Sequence, residues 1–228
     1  MSLIMEERTV ARTALLASTG PVGARDGWLV LHGLNQRVEQ FGRAFVDAPG
    51  GQDRRVLLPE GLSRSILDTR TDKTGACWTT IPDRPRDLRD AFAWIEQAAD
   101  QLEAQTEPRD DGLRVLIGFS QGGILAARLC AQATRRWDAV VLWGSAIPRG
   151  LDPRAVVASA RSGKLHLIVG DKDRYATPER RALMREGLAA AGVETDVLVY
   201  EGGHEVTAEA VALLAERLEA LRPARARR

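Results

Sequence analysis

Gly118-Phe119-Ser120-Gln121-Gly122 sets a serine between two glycines, directly after the apolar run Val115-Leu116-Ile117. A short apolar run reads as a buried strand. Beyond it, Ile124, Leu125, Leu129 and Ala133 fall near the three-to-four spacing of one buried helix face. A serine on so sharp a strand-to-helix turn holds its hydroxyl exposed, and glycines at 118 and 122 leave room where a Cβ would clash. Ser120 also stands at a helix N-terminus, where free backbone N–H groups can hold developing negative charge. Such a serine is placed for nucleophilic attack. Gly-x-Ser-x-Gly also arises by chance in Gly-rich turns, so the reading depends on partners elsewhere in the chain.

A serine hydroxyl is a weak nucleophile until a base takes its proton. The chain has 3 histidines, which permits elimination. His166 lies within the apolar run Leu165 to Val169 and reads as a packing residue. His32 sits at the end of Gly27-Trp28-Leu29-Val30-Leu31, beside Gly33-Leu34. His204 follows the last strand in a Gly-Gly loop, and in parallel sheets the loops at strand C-terminal ends gather the ligand site. His204 is therefore the expected base. An imidazole base needs an acid that fixes its tautomer. Asp171 and Asp173 both follow the Leu165–Val169 strand; Asp173 is the preferred acid, because Asp171 comes directly after Gly170 and can tie the turn with its own carboxylate. A tetrahedral oxyanion needs two donors. The expected pair is the N–H of Gln121, next to the serine, and the N–H of Leu34, with His32 shaping that loop rather than carrying protons.

The elements that must position these groups alternate. Strands are expected at Val10–Ser18, Gly27–Leu31, Arg55–Leu58, Val115–Phe119, Ala139–Trp143, Leu165–Val169 and Thr195–Tyr200. Helices are expected around Val38–Val46, over Leu88–Leu102, after Ser120, from Pro153 to Ala160, from Pro178 to Gly192, and over Val211–Leu221. The stretch Glu60–Pro85 has no sustained periodicity and reads as a long irregular loop, with Trp78 and Ile81 as candidates for an apolar acyl-binding wall. Trp78 has an equal claim to anchor that loop on the core. Strands that read as apolar runs between helices argue a mostly parallel twisted sheet covered on both faces. No repeat, linker or low-complexity block divides the chain, so residues 1–228 read as one domain with an ordered core over about 10–221.

Composition narrows the class. With 32 basic and 31 acidic residues the net charge is +1, which gives no footprint for nucleic acid or an anionic membrane. No apolar run approaches bilayer length, and Met1–Val10 is charged too early for a signal peptide. Cys77 and Cys130 share no CxxC spacing and no cluster with histidine, so no metal or redox site is expected, and a reducing cytoplasm suits them. The arginine-rich tail from Arg222 reads as a solvated end.

Gly118-Phe119-Ser120-Gln121-Gly122-Gly123, with His32-Gly33-Leu34, Gly170-Asp171-Lys172-Asp173 and Gly203-His204, resembles the phospholipase/carboxylesterase family of α/β-hydrolases, which includes bacterial carboxylesterases and acyl-protein thioesterases. The resemblance runs from about Val10 to Leu221 and shares the order Ser…Asp…His. It implies an α/β-hydrolase fold without a large cap domain. The implied activity is that of a serine hydrolase acting on small-molecule carboxylic esters or thioesters, with no metal or organic cofactor and often a homodimer. In that family the second aspartate of Gly-Asp-x-Asp is the acid, which favours Asp173, and the hole donors carry over to Leu34 and Gln121. Asn35-Gln36 and the Glu60–Pro85 stretch depart from the usual pattern and leave acyl-chain preference open. Other activities on this scaffold remain as alternatives: a small peptidase, a dienelactone hydrolase (which usually carries cysteine where Ser120 stands), a perhydrolase, or a non-catalytic binding protein.

Overall fold

The computed structural model describes residues 12–107 and 112–222. Its main sheet has 7 strands in the order β1-β3-β2-β6-β7-β8-β9. These are β1 (Leu16–Thr19), β2 (Asp26–Leu31), β3 (Arg54–Pro59), β6 (Arg114–Phe119), β7 (Ala139–Trp143), β8 (Lys164–Gly170) and β9 (Glu194–Tyr200). Only β1 runs antiparallel to its neighbour. The expected first strand begins later than the sequence suggests, and its Val10 and Ala11 lie outside the described residues.

Side chains alternate across the sheet, as strand geometry dictates. Leu29, Leu31, Leu57 and Leu116 face one core with α3 (Arg84–Ala104), α4 (Gln121–Cys130), α5 (Pro153–Val157) and α6 (Pro178–Ala190). Trp28, Val30, Val56, Val115 and Ile117 face a second core with α1 (Val38–Phe41), α2 (Arg43–Asp47) and α7 (Ala208–Glu219). Thr177 and Asp152 cap α6 and α5 through their side chains, with proline in the first turn of each helix.

Four readings change. The helix expected around Val38–Val46 is two short helices that meet at Gly42, which itself keeps right-handed helical dihedrals. In α4 the buried face is Leu125, Ala126, Leu129 and Cys130; Ile124 is part-exposed, and Ala133 lies past the helix end with φ 53°. The Glu60–Pro85 stretch contains an antiparallel hairpin, β4 (Ser63–Asp68) and β5 (Lys73–Cys77). Its first strand is largely exposed, so no apolar alternation marks it in the sequence. Arg222 is not solvated: it is buried, paired with Asp26 and Glu219.

The chain leaves β2 toward β3 and β1 on one side and fills β6 to β9 on the other. The sheet order therefore reverses between β2 and β6, and a crevice opens at their C-terminal ends. The loop after β2 is braced from below. Gly61 N–H donates to His32 Nε2 at 2.9 Å, and the Nδ1–H that this leaves donates to the Gly33 carbonyl at 2.7 Å. Trp78 stacks on the His32 ring at 4.8 Å and donates its indole N–H to the His32 carbonyl. The hairpin contributes as well, since the Ala76 carbonyl accepts from Asn35 N–H at 2.9 Å. Glu60, 1% exposed, accepts from the Val38 N–H and from Arg37, tying the start of α1 to the end of β3.

At the end of β6 the backbones touch. A Cβ on Gly122 would stand 2.3 Å from the Leu31 carbonyl oxygen, and one on Gly118 would stand 2.4 Å from that of Gly122. Gly122→Ala should lower the unfolding free energy by about 3 kcal/mol or more. A urea titration with an unchanged midpoint would refute this close approach. Burial holds the His32 imidazole below its ordinary pKa, against smaller raising effects from the Gly33 carbonyl and Glu60. The unfolded chain therefore takes up a proton near pH 6.5 that the folded chain resists, so stability should fall as the pH drops below about 6.5. His166, also held low mainly by burial, acts with the same sign. Urea midpoints taken from pH 7.5 to 5 should fall less steeply in His32→Asn than in the wild type; equal slopes would remove His32 from the account.

Candidate active site

Ser120 has φ 51° and ψ −114°, a left-handed backbone that a residue with a Cβ adopts at a cost of about 1–3 kcal/mol. Its N–H is held by the Trp143 carbonyl at 2.9 Å, and its own carbonyl accepts from the Ser145 hydroxyl at 2.8 Å and from the first turn of α4. The hydroxyl is thus fixed at the mouth of the crevice. Ser120 Oγ lies 2.9 Å from His204 Nε2, and His204 Nδ1 lies 2.7 Å from Asp173 Oδ2. Asp173 is 3% exposed, and its other oxygen accepts the Tyr175 N–H at 2.8 Å. A carboxylate so held keeps the imidazole in one tautomer, with Nε2 as the acceptor for the serine proton.

Asp171 does something else. Its carboxylate accepts the Gly202 N–H at 2.9 Å, a bond that holds it below the usual carboxylate range and fastens the β8 turn to the loop that carries His204. Gly144, at φ 52°, passes under the pair: a Cβ there would stand 3.1 Å from the His204 ring and 3.2 Å from Asp173 Oδ2.

Leu34 and Gln121 flank the same hydroxyl. Gly33 N–H is taken by the Gln36 side chain at 2.7 Å and Asn35 N–H by Ala76, whereas the N–H groups of Leu34 and Gln121 have no acceptor among the described residues. The Gln121 side chain is engaged separately, accepting from Trp78 N–H at 3.1 Å and donating to the Thr79 carbonyl.

Two cavities meet at Ser120 and His204. One, of about 610 Å³, is walled by Leu34, Ile124, Met184 and Arg181; the other, of about 440 Å³, by Phe119, Lys172 and Arg174. Trp78 and Ile81 line neither. Trp78 is 1% exposed and anchors its loop through His32, and Ile81 is 87% exposed, so the structure does not bring them to the serine as an acyl wall. The apolar wall is Leu34, Ile124 and Met184 instead. Ile124 had a signal, since it lies one helical turn beyond Ser120 and shares its side of α4.

Tyr175 had none beyond its closeness to Asp173. Its ring meets the His204 ring in a T-shaped contact at 4.7 Å, and the Phe119 ring lies 4.8 Å from the same imidazole. His166 is buried and bonds Asp196 at 3.2 Å. Cys77 and Cys130 are free and buried, and burial pushes the Cys130 thiol up to about 12. Among the described residues no cluster of three or more His, Cys, Asp or Glu could hold a metal ion, and no helix is long and apolar enough to cross a membrane.

Solved structures share this architecture. The maize (Zea mays) acyl-protein thioesterase 2 superposes with a TM-score of 0.66 at 17% identity, over 92% of this chain and 99% of that one. Esterase PE8 gives 0.61 at 18% identity, over 92% and 100%. A phospholipase/carboxylesterase from Dyadobacter fermentans gives 0.59 at 14% identity, over 91% and 97%. At such identities the likeness carries the fold, that of the α/β-hydrolases. No curated protein sequence matches the chain. The family model described as serine hydrolase (FSH1) matches residues 31–213, the span from the end of β2 into α7. The chain belongs to the FSH1 family of serine hydrolases.

Proposed function

We propose that this serine hydrolase cleaves carboxylic esters or thioesters through an acyl-enzyme on Ser120. The observation that carries the reading is the unbroken line of hydrogen bonds from Asp173 through His204 to Ser120 Oγ, 2.7 and 2.9 Å long, at the start of α4. His204 Nε2 takes the hydroxyl proton as Ser120 Oγ attacks the carbonyl carbon. The Leu34 and Gln121 N–H groups receive the oxyanion, and Asp173 stabilises the imidazolium. The imidazolium then protonates the departing alcohol or thiol as its bond to carbon breaks. Water deprotonated by His204 attacks the acyl-enzyme, and collapse returns the proton to Ser120 and releases the acid. The apolar wall of Leu34, Ile124 and Met184 suits an acyl or alkyl group, and the loop Gly144–Asp152 leads straight to α5 without a covering insertion. The names of the solved neighbours, an acyl-protein thioesterase and two esterases among them, support the same substrate class.

The test is turnover of p-nitrophenyl esters from acetyl to palmitoyl beside matched thioesters. Ser120→Ala and His204→Ala should each lower kcat/KM by at least about 10⁴-fold. A modest loss at Ser120 would end this mechanism. Asp173→Asn should cost far more than Asp171→Asn, whose carboxylate holds only the Gly202 turn. The reverse order would move the acid to Asp171.

A further inference from the structure

Among the described residues the cleft is lined by cations and by no carboxylate. Arg180 and Arg181 border the larger cavity, Lys172 and Arg174 the smaller, and neither lining includes Asp or Glu. The chain as a whole carries a net charge of only +1, so this imbalance is local. Three of the four cations are already engaged. Lys172 pairs with Glu201 at 3.3 Å, Arg174 lies over the Tyr175 ring and bonds its hydroxyl, and Arg180 donates to the Tyr175 carbonyl.

Arg181 is different. Its Nη1 is buried and has no hydrogen-bond acceptor among the described residues, and the charge of Glu179, on the same helix, acts on it from beyond contact distance. It reaches the cavity from α6, beside Met184 and close to Gly144 and Ser145. A buried guanidinium N–H without an acceptor is costly, and such groups in folded proteins nearly always have partners. An apolar chain laid in this cavity would leave it unpaired.

We propose that the substrate is an ester or thioester bearing a second, ionised carboxyl group, and that Arg181 binds that carboxylate. The inference rests on the hydrolase reading above and names its substrate class. A carboxylate presents two oxygens to the guanidinium fork, and one arginine with a donor left unbonded matches one such group. Arg181 is a specificity residue on this account and takes no part in proton transfer.

Two pairs of substrates test it. The first is the 4-nitrophenyl monoester of adipic acid against its terminal amide, which puts the charge on the acyl side. The second is butyryloxyacetate against butyryloxyacetamide, followed by acid release, which puts it on the alcohol side. In one pair the anion should be favoured in kcat/KM by about tenfold or more, a preference that declines as salt is raised. Arg181→Met should bring the ratio near one, and Arg181→Lys should keep part of it. The pair that responds identifies which half of the substrate meets Arg181. Ratios at or below one in both pairs overturn the proposal, as does a preference that Arg181→Met leaves intact. Should a variant fail to fold, the wild-type ratio and its salt dependence still decide. Ser120-dependent turnover of the amides without any preference for the anions removes this inference and leaves the hydrolase reading standing. Absence of Ser120-dependent turnover of every ester removes both.

Discussion

Backbone meets backbone where β6 turns into α4, and most of the site follows from that contact. Ser120 holds its hydroxyl out because its φ is left-handed. That conformation persists because the strand before it and the helix after it are pressed against the end of β2, with no side chain at 118 or 122 to part them. The same closeness brings the start of α4 beside the loop after β2. The Gln121 and Leu34 N–H groups can then point into one space, although 87 residues separate them in sequence. A looser turn would relax Ser120 and separate the two donors together.

Around this contact the other groups are held by elements that do no chemistry. The β8 and β9 loops are fastened to each other by Asp171 and by backbone bonds from Asp171 and Lys172 to Tyr200 and Gly202. Asp173 and His204 are therefore carried on two loops tied to each other. Tyr175 and Phe119 pack against the imidazole, and Gly144 leaves the space under it. His32 is as buried as any side chain in the protein, yet its two ring nitrogens are fully used on Gly61 and Gly33. It sets the shape of the loop after β2.

The parts of this arrangement that rest on covalent order were legible in the sequence. Glycines flanking Ser120, apolar runs before each loop, and loops that carry His32, Asp171 and His204 all announce a parallel sheet with its site at one edge. Elimination among three histidines led to His204 because His166 sits inside a strand. What escaped was whatever depends on packing across the chain. Trp78 looked available in a polar stretch, but its indole is used up on His32. Ile81 is just as apolar, and its segment turns away into solvent. The β4–β5 hairpin has an exposed strand and so lacks the alternation that marks half-buried strands. Arg181 is one arginine among many in the sequence, and only its place under the cleft distinguishes it.

That hairpin ties catalysis to a weak part of the molecule. It is a two-stranded ribbon outside the main sheet, with Ile66 71% exposed and few buried contacts in its first strand. Ribbons of this kind open locally at a free energy well below that of global unfolding. Its second strand nevertheless carries the Ala76 carbonyl that holds Asn35, next to Leu34 in the loop beside Ser120. When the ribbon frays, the loop after β2 loses its support while the sheet and the Ser120–His204–Asp173 line stay in place. On warming, turnover should therefore fade at a lower temperature than the fold itself, with the loss reversible on cooling.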